Sequence, residues 1–346
     1  MIQEAIQKLV AGGSLTQDEA ASVTEEIMSG EAAPVQMSAF LVALRMKVES
    51  VDEITGMAKV MRSKSLRVPT DGEVVDVVGT GGDGKGTFNI STAAAFVTAA
   101  TGVKIAKHGN RAASGTFGSA DILEANGVKL ELSPEAVQRC IDDVGIGFMF
   151  APVFHPAMKF AGPVRRELGV RTVFNILGPL TNPAGANYQL LGVSQPSTVL
   201  RHPQPELGEM MAHVLSHLGT KHSWVVRGDD GLDEITTSTT TQVWEVAGGS
   251  VRHFVLEPED AGIGRVSLRA VQAANAEENQ AMFTDALSKG ESAAKDIVML
   301  NAAAALVVAG RAPDLRSGVG SAREAIESGA AAERVQALAK LSQTLA

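Results

Sequence analysis

The chain has 346 residues, room for one large or two medium domains, and 45% of them are hydrophobic. Aromatic residues make up only 4%, so the core is to be built from Ala, Val, Leu and Ile. Lys and Arg number 30 against 39 acids, and the net charge of −9 argues against nucleic acid or an anionic membrane as the main partner. A polyanionic ligand would then need a metal or a local basic pocket. Cys140 is the only cysteine, which excludes a disulfide framework and fits a reducing cytoplasm. The first ten residues mix Gln, Glu and Lys with the apolar ones, unlike a signal peptide, and no window approaches the ~20 apolar residues of a membrane span.

Residues 1–65 read as helices only. Ile2, Ile6 and Leu9 recur at helical spacing up to Gly12–Gly13. Thr16 with Glu19, and Ser50 with Glu53, are capping boxes, and Pro34 suits a first helical turn. Pro69, Asp71 and Gly72 mark a hinge. Val74 to Val78, valine broken only by Asp76, is sized for a buried strand. Five glycines follow within eight residues: Gly79, Gly81, Gly82, Gly84 and Gly86. Asn89, Ser91 and Thr92 then offer N-cap chemistry to a helix over Ala93 to Ala100.

Strand, glycine loop and helix N-terminus in that order make a seat for an anion, because loop N–H groups and the helix dipole face the same point. A second polar cluster, Lys107, His108, Asn110, Arg111, Ser114 and Ser119, follows the short strand Val103 to Ala106. In a parallel sheet both clusters meet beyond the carboxyl ends of the strands. The glycine spacing fits neither the Walker loop nor a dinucleotide fingerprint, so a phosphorylated sugar is the expected ligand.

Further on, a helix over Ala120 to Ala125, a helix from Ser133 through Cys140 and a strand over Gly147 to Phe150 are expected. Ala151 to Pro156, with two prolines, reads as loop, and the next helix carries Lys159, Arg165 and Arg166 to its stop at Gly169. Arg165 and Arg166 face about 100° apart, so at most one reaches a pocket. Arg171 to Leu180 reads as polar loop. Strands over Gln189 to Val193 and Ser223 to Val226, with a helix near Leu207 to Leu218 between them, continue a mostly parallel sheet. Gln242 to Val246 and Val251 to Leu256 flank Gly248–Gly249 as a hairpin, and Ala276 to Ala346 is helical. Asp233 and Glu234, adjacent acids on a turn, become a metal pair if the ligand is a diphosphate.

Gly79-Thr80-Gly81-Gly82-Asp83, Asn89-Ile90-Ser91-Thr92, Lys107 to Ala112, Phe174 to Pro183 and Gly231 to Glu234 occur in this order. Together they resemble the anthranilate phosphoribosyltransferase family over nearly the whole chain. The resemblance implies an α/β protein: a small all-helical domain plus a larger α/β domain around a central, mostly parallel sheet flanked by helices. It implies residues 1–70 as the helical domain with a returning segment near 165–185, residues 71–346 as the donor-binding domain, and a homodimer through the helical domain. Nucleic acid and membrane are not implied partners. Gly79, Gly82, Asp83, Thr87, Asn89, Ile90, Ser91, Thr92, Lys107 and Ser119 would bind 5-phosphoribosyl 1-diphosphate. Gly79, His108, Asn110, Arg165 and Pro179 would serve anthranilate. Ser91, Asp233 and Glu234 would hold Mg²⁺, two ions with the diphosphate, and no general base is assigned.

Three features depart from the family pattern. Thr116-Phe117 stands where Lys-Ser is common, Arg227 where histidine is frequent, and Arg201 to Pro205 is an unusual proline-rich helix entry. A pyrimidine nucleoside phosphorylase is the nearest rival, but Asp233-Glu234 and Asn175 to Pro183 count against it. The charge of −9 counts against a nucleic-acid-binding paralogue.

Overall fold

The computed structural model describes residues 1–112, 117–194 and 206–346. Four helices come first: α1 (Ile2–Val10), α2 (Gln17–Met28), α3 (Pro34–Lys47) and α4 (Val51–Lys64). Both expected capping boxes close, Thr16 with Glu19 and Ser50 with Glu53. Glu53 is fully buried and does more than cap: it also accepts from Leu15 N at 2.9 Å and Lys47 Nζ at 2.9 Å, tying α4 to the α1–α2 turn.

The α/β part runs β1 (Val75–Gly79), α5 (Ile90–Ala100), β2 (Ile105–Gly109), α6 (Ser119–Ala125), α7 (Pro134–Val144), β3 (Ile146–Phe150), α8 (Ala151–Phe154), α9 (Met158–Leu168), α10 (Phe174–Leu177) and β4 (Tyr188–Gly192). It continues with α11 (Leu207–His217), β5 (His222–Gly228), β6 (Thr241–Ala247), β7 (Ser250–Leu256), α12 (Ala276–Ala286), α13 (Ala293–Val308), α14 (Leu315–Glu327) and α15 (Ala330–Thr344). Two stretches expected to be loop contain single helical turns. Pro152 opens α8, where its fixed φ suits a first turn, and Phe174 to Leu177 bury three apolar side chains in α10. No helix among the described residues is long and apolar enough to cross a membrane.

The strands form one sheet in the order β3-β2-β1-β4-β5-β6-β7. Pairs from β3 through β5 are parallel, while β6 and β7 are antiparallel, as the glycine-turned hairpin predicts. Successive residues serve opposite faces. On β5, Trp224 and Val226 enter one core with α5, α7 and α13, whereas Val225 enters another with α11. That second core is continuous with α1–α4 and takes in Val164, Val173, Phe174, Ile176, Leu177 and Leu180. The chain order reverses between β1 and β4: β2 and β3 lie to one side of β1, β4 and β5 to the other. Such a switch point leaves a crevice at the carboxyl ends of the strands, and the glycine loop leaves β1 there.

Candidate active site

The glycine loop is shaped by contacts on both sides. Gly79 has no room for a side chain, since a Cβ there would stand 2.6 Å from Asp233 Oδ2. Gly82 has φ +74°, and its Cβ would lie 1.9 Å from Arg171 Nη1. The far end of the loop is pinned by Thr87 bridging Gln272 and by Gln272 Nε2 donating to Lys85 O at 2.7 Å. Asp83 folds inward, with Oδ1 accepting from Lys85 N at 3.0 Å. Its Oδ2 is buried and finds no partner among the described residues.

The acidic pair comes to this loop from the turn after β5. Asp233 Oδ2 accepts from Gly81 N at 2.7 Å, and Glu234 Oε1 accepts from Ser91 N at 3.1 Å, in the first turn of α5. The two N–H groups expected to face an anion are therefore met by carboxylates. Burial, reinforced by the charge of Asp83, pushes Asp233 up to about 7. Burial and then the charge of Asp233 raise Glu234 well above the ordinary carboxylate range. Three acids crowded this way are short of a cation. Among the described residues no three His, Cys, Asp or Glu side chains form a metal cage by themselves. The set suits a hard ion that completes its shell with phosphate oxygens and water.

Lys107 is the nearest buried cation. From β2 it reaches β1 and α5, where Nζ donates to Val77 O and to Ser91 Oγ at 3.4 Å. Burial lowers its pKa, while Asp76 and Glu234 support the charge. Asp76 is fully buried in β1, taking Asn182 Nδ2 at 2.7 Å and His108 N at 3.3 Å. Burial raises Asp76 to about 6.

His108 and His155 lie ring against ring, with centroids 4.9 Å apart, beside the Gly178–Thr181 backbone. Burial lowers both, His108 to about 3 and His155 to about 4, so both rings are neutral. The Nε2 atom of each is buried without a partner among the described residues. Pro179 is buried here, its carbonyl accepting from Gln189 Nε2 at 2.6 Å. Arg165 is half-buried on α9 with its guanidinium 5.3 Å from the Phe174 ring centre, whereas Arg166 is exposed. One arginine of the pair faces inward, within the limit of at most one that helix geometry allows.

Several expected residues sit differently. Asn89 stands at the N-cap of α5 but makes no side-chain cap; its Nδ2 donates to Phe117 O at 3.0 Å. Ile90 is 1% exposed, its side chain part of the core. Thr92 is buried, with Oγ1 unpartnered among the described residues. Asn110 turns its Oδ1 to Arg111 N at 2.8 Å, and its carbonyl accepts from Ser119 Oγ at 3.4 Å. Arg111 leaves the cleft for α6, pairing Glu124 at 2.7 Å and Asp121 at 3.0 Å. Arg227 leaves the acidic turn for Glu206 at 2.8 Å. Ser114, Thr116 and Arg201 to Pro205 lie outside the described residues.

Sequence reasoning passed over Asp76, Arg171, His155, Asp230 and Asn301. Asp76 carried a signal, a charge inside a valine strand. Asp230 folds the acidic turn by accepting from Leu232 N at 3.1 Å and Thr236 Oγ1 at 2.7 Å. Asn301, buried on α13, grips Ile235 by both backbone atoms, at 3.0 and 2.9 Å.

A glycine cradle at the switch point, an acidic pair opposite it and a helical bundle alongside occur here in a chain whose two parts both match glycosyl transferase domains. Residues 3–65 match "Glycosyl transferase family, helical bundle domain", and residues 71–332 match "Glycosyl transferase family, a/b domain". The anthranilate phosphoribosyltransferase of Dehalococcoides mccartyi is 51% identical, covering 100% of this chain and 99% of its own. That of Chloroflexus aggregans is 53% identical, covering 99% and 98%. The chain belongs to the anthranilate phosphoribosyltransferase family. Among solved structures, the Thermus thermophilus enzyme superposes with a TM-score of 0.90 at 44% identity, covering 98% of this chain and 99% of its own. The Saccharomyces cerevisiae enzyme in complex with PRPP and Mg has a TM-score of 0.89 at 27% identity, covering 99% and 98%.

Proposed function

We propose that this protein transfers the 5-phosphoribosyl group of 5-phosphoribosyl 1-diphosphate to the amine of anthranilate. The products are N-(5-phosphoribosyl)anthranilate and diphosphate, the second step from chorismate to tryptophan. The observation that carries this reading is the acidic pair seated against the glycine loop at the switch point. In yeast, a relative has been solved with PRPP and Mg and another time with 4-fluoroanthranilate.

On this reading the loop backbone from Gly79 to Asp83, with Thr87, Asn89 to Thr92, Lys107 and Ser119, seats the phosphorylated ribose. Ser91, Asp233 and Glu234 would hold Mg²⁺, two ions with the diphosphate, and the Asp83 oxygen that is unpartnered among the described residues and the crowded carboxylate pair fit that role. Bound magnesium supplies charge neutralisation to the leaving diphosphate. Arg165 offers its fork to the anthranilate carboxylate, Asn110 orients the ring, and neutral His108 and Pro179 line the approach with Gly79. The amine nitrogen forms its bond to ribose C1 as the C1–oxygen bond to diphosphate breaks. The nitrogen then sheds its proton, with no side chain assigned as base. Catalysis is positioning plus charge stabilisation.

We also place the domain division at residue 70, with residues 165–185 returning to the helical domain, in the cytoplasm and as a homodimer. The test is the loss of anthranilate fluorescence on adding 5-phosphoribosyl 1-diphosphate with and without Mg²⁺. Metal-dependent loss is expected, cut by roughly a thousandfold or more in Asp233→Ala with Glu234→Ala. Folded protein that leaves the fluorescence unchanged at high substrate and metal refutes the reading.

A further inference from the structure

Arg171 has no part in the assignments above, yet its guanidinium holds two carbonyls of the glycine loop. Its Nη1 donates to Gly82 O at 3.0 Å and Gly81 O at 3.4 Å, and its Nη2 donates to Gly81 O at 3.3 Å and Ser194 Oγ at 3.3 Å. Ser194 continues the tie, its N–H donating to Thr80 Oγ1 at 3.0 Å. Gly81 and Gly82 both have positive φ, +66° and +74°. Successive residues of this kind turn their N–H groups and carbonyls to different sides, and without side chains their peptide planes rotate at little cost. The planes are held here from two directions: Gly81 N faces Asp233 Oδ2 at 2.7 Å, and the carbonyls face the guanidinium. Only glycine at 82 admits so close an approach.

The origin of Arg171 adds a second link. It directly precedes Thr172, Val173 and Phe174, and the last two are buried in the core shared with α1–α4. Phe174 also carries the guanidinium of Arg165 on its ring. One short segment thus touches the donor loop at one end and the acceptor-side arginine at the other.

We propose that Arg171 is a positioning residue for the donor. It locks the Gly81–Gly82 peptide planes so that the loop keeps the shape that seats the donor, and it ties that shape to the segment beneath the acceptor side. The proposal rests on the donor and acceptor assignment made above.

The test compares the wild type, Arg171→Met and Arg171→Lys. Calorimetry reads the Kd for 5-phosphoribosyl 1-diphosphate with Mg²⁺ and no anthranilate. Amide hydrogen exchange reads residues 79–88 in the ligand-free protein. Arg171→Met, of similar length but without donors, is expected to weaken donor binding roughly tenfold or more and to speed exchange in the loop. Arg171→Lys, keeping the charge but not the fork, is expected to fall between, and it serves alone if the methionine variant does not fold. The anthranilate KM is expected to move much less than the donor KM. Unchanged exchange in both variants overturns the proposal. Weaker donor binding with unchanged exchange also overturns it, making Arg171 a direct ligand instead. The exchange arm needs no substrate, so a wild type that binds no donor refutes the functional reading while this inference is still decided.

Discussion

At the scale of single residues, the structure places cost where it serves the site, with one exception. Asp76, Lys107 and the Asp233–Glu234 pair are ionisable groups held away from water, and each is met by a partner that does something: Asn182, the Val77 carbonyl, and the N–H groups of Gly81 and Ser91. Val48 is different. It is the one non-glycine with positive φ among the described residues, at φ +76° and ψ +127°, just after α3. A β-branched side chain makes that conformation expensive. Val48→Gly trades this strain, about 1–3 kcal/mol, against the extra freedom of glycine in the unfolded chain, about 0.5–1 kcal/mol. It is expected to raise the thermal midpoint, read by differential scanning calorimetry. A midpoint that falls would mean the backbone there is not strained.

At the scale of elements, β2 and α8 bring two histidines together, and this sets a pH dependence. His108 has a folded pKa of about 3 and His155 of about 4, both below the ordinary histidine value. Between pH 6.5 and about 4 the unfolded chain binds protons that the folded chain refuses. Their contribution to stability is complete above pH 6.5 and is lost as the pH falls. Asp76, raised to about 6, acts in the opposite sense, because the folded chain keeps its proton longer. His108→Gln with His155→Gln is therefore expected to lose less stability than the wild type on acidification from pH 7 to 4.5. Denaturant midpoints across that range measure it, and parallel curves would contradict the assignment. The same elements show the reach of sequence reading. Lys107 and His108 were legible as the start of a polar cluster after an apolar strand over Val103 to Ala106, but the strand runs from Ile105 to Gly109 and carries both within it. Asp76 beneath them was visible only as an interruption, because its partners come from β2 and from residue 182.

At the scale of the whole molecule, the helical bundle has a face with nothing against it among the described residues. Val35, Ala39, Val42 and Met46 follow helical spacing along α3, and all four are exposed, Val35 to 75% and Met46 to 61%. Such a stripe fits a second copy of the chain, consistent with the proposed homodimer. Val42→Lys with Met46→Glu is expected to shift a dimer to monomer in analytical ultracentrifugation without unfolding it, since neither side chain is in the core. A wild type that sediments as a monomer removes the proposal.

The sequence alone determined what depends on neighbours in the chain: the glycine loop between strand and helix, the capped helices, and the order of motifs that carries the family resemblance. These follow from backbone preferences and short spacings, which a linear reading captures. Only the tertiary structure decided which groups meet in the crevice. Asp233 reaches Gly81 across 152 residues, Glu234 reaches Ser91 across 143, and Arg171 reaches Gly82 across 89. It also decided that Arg165 faces inward and Arg111 turns away. Contacts at such separation depend on strand order and on which face of each element is buried, and no local pattern in the chain encodes them.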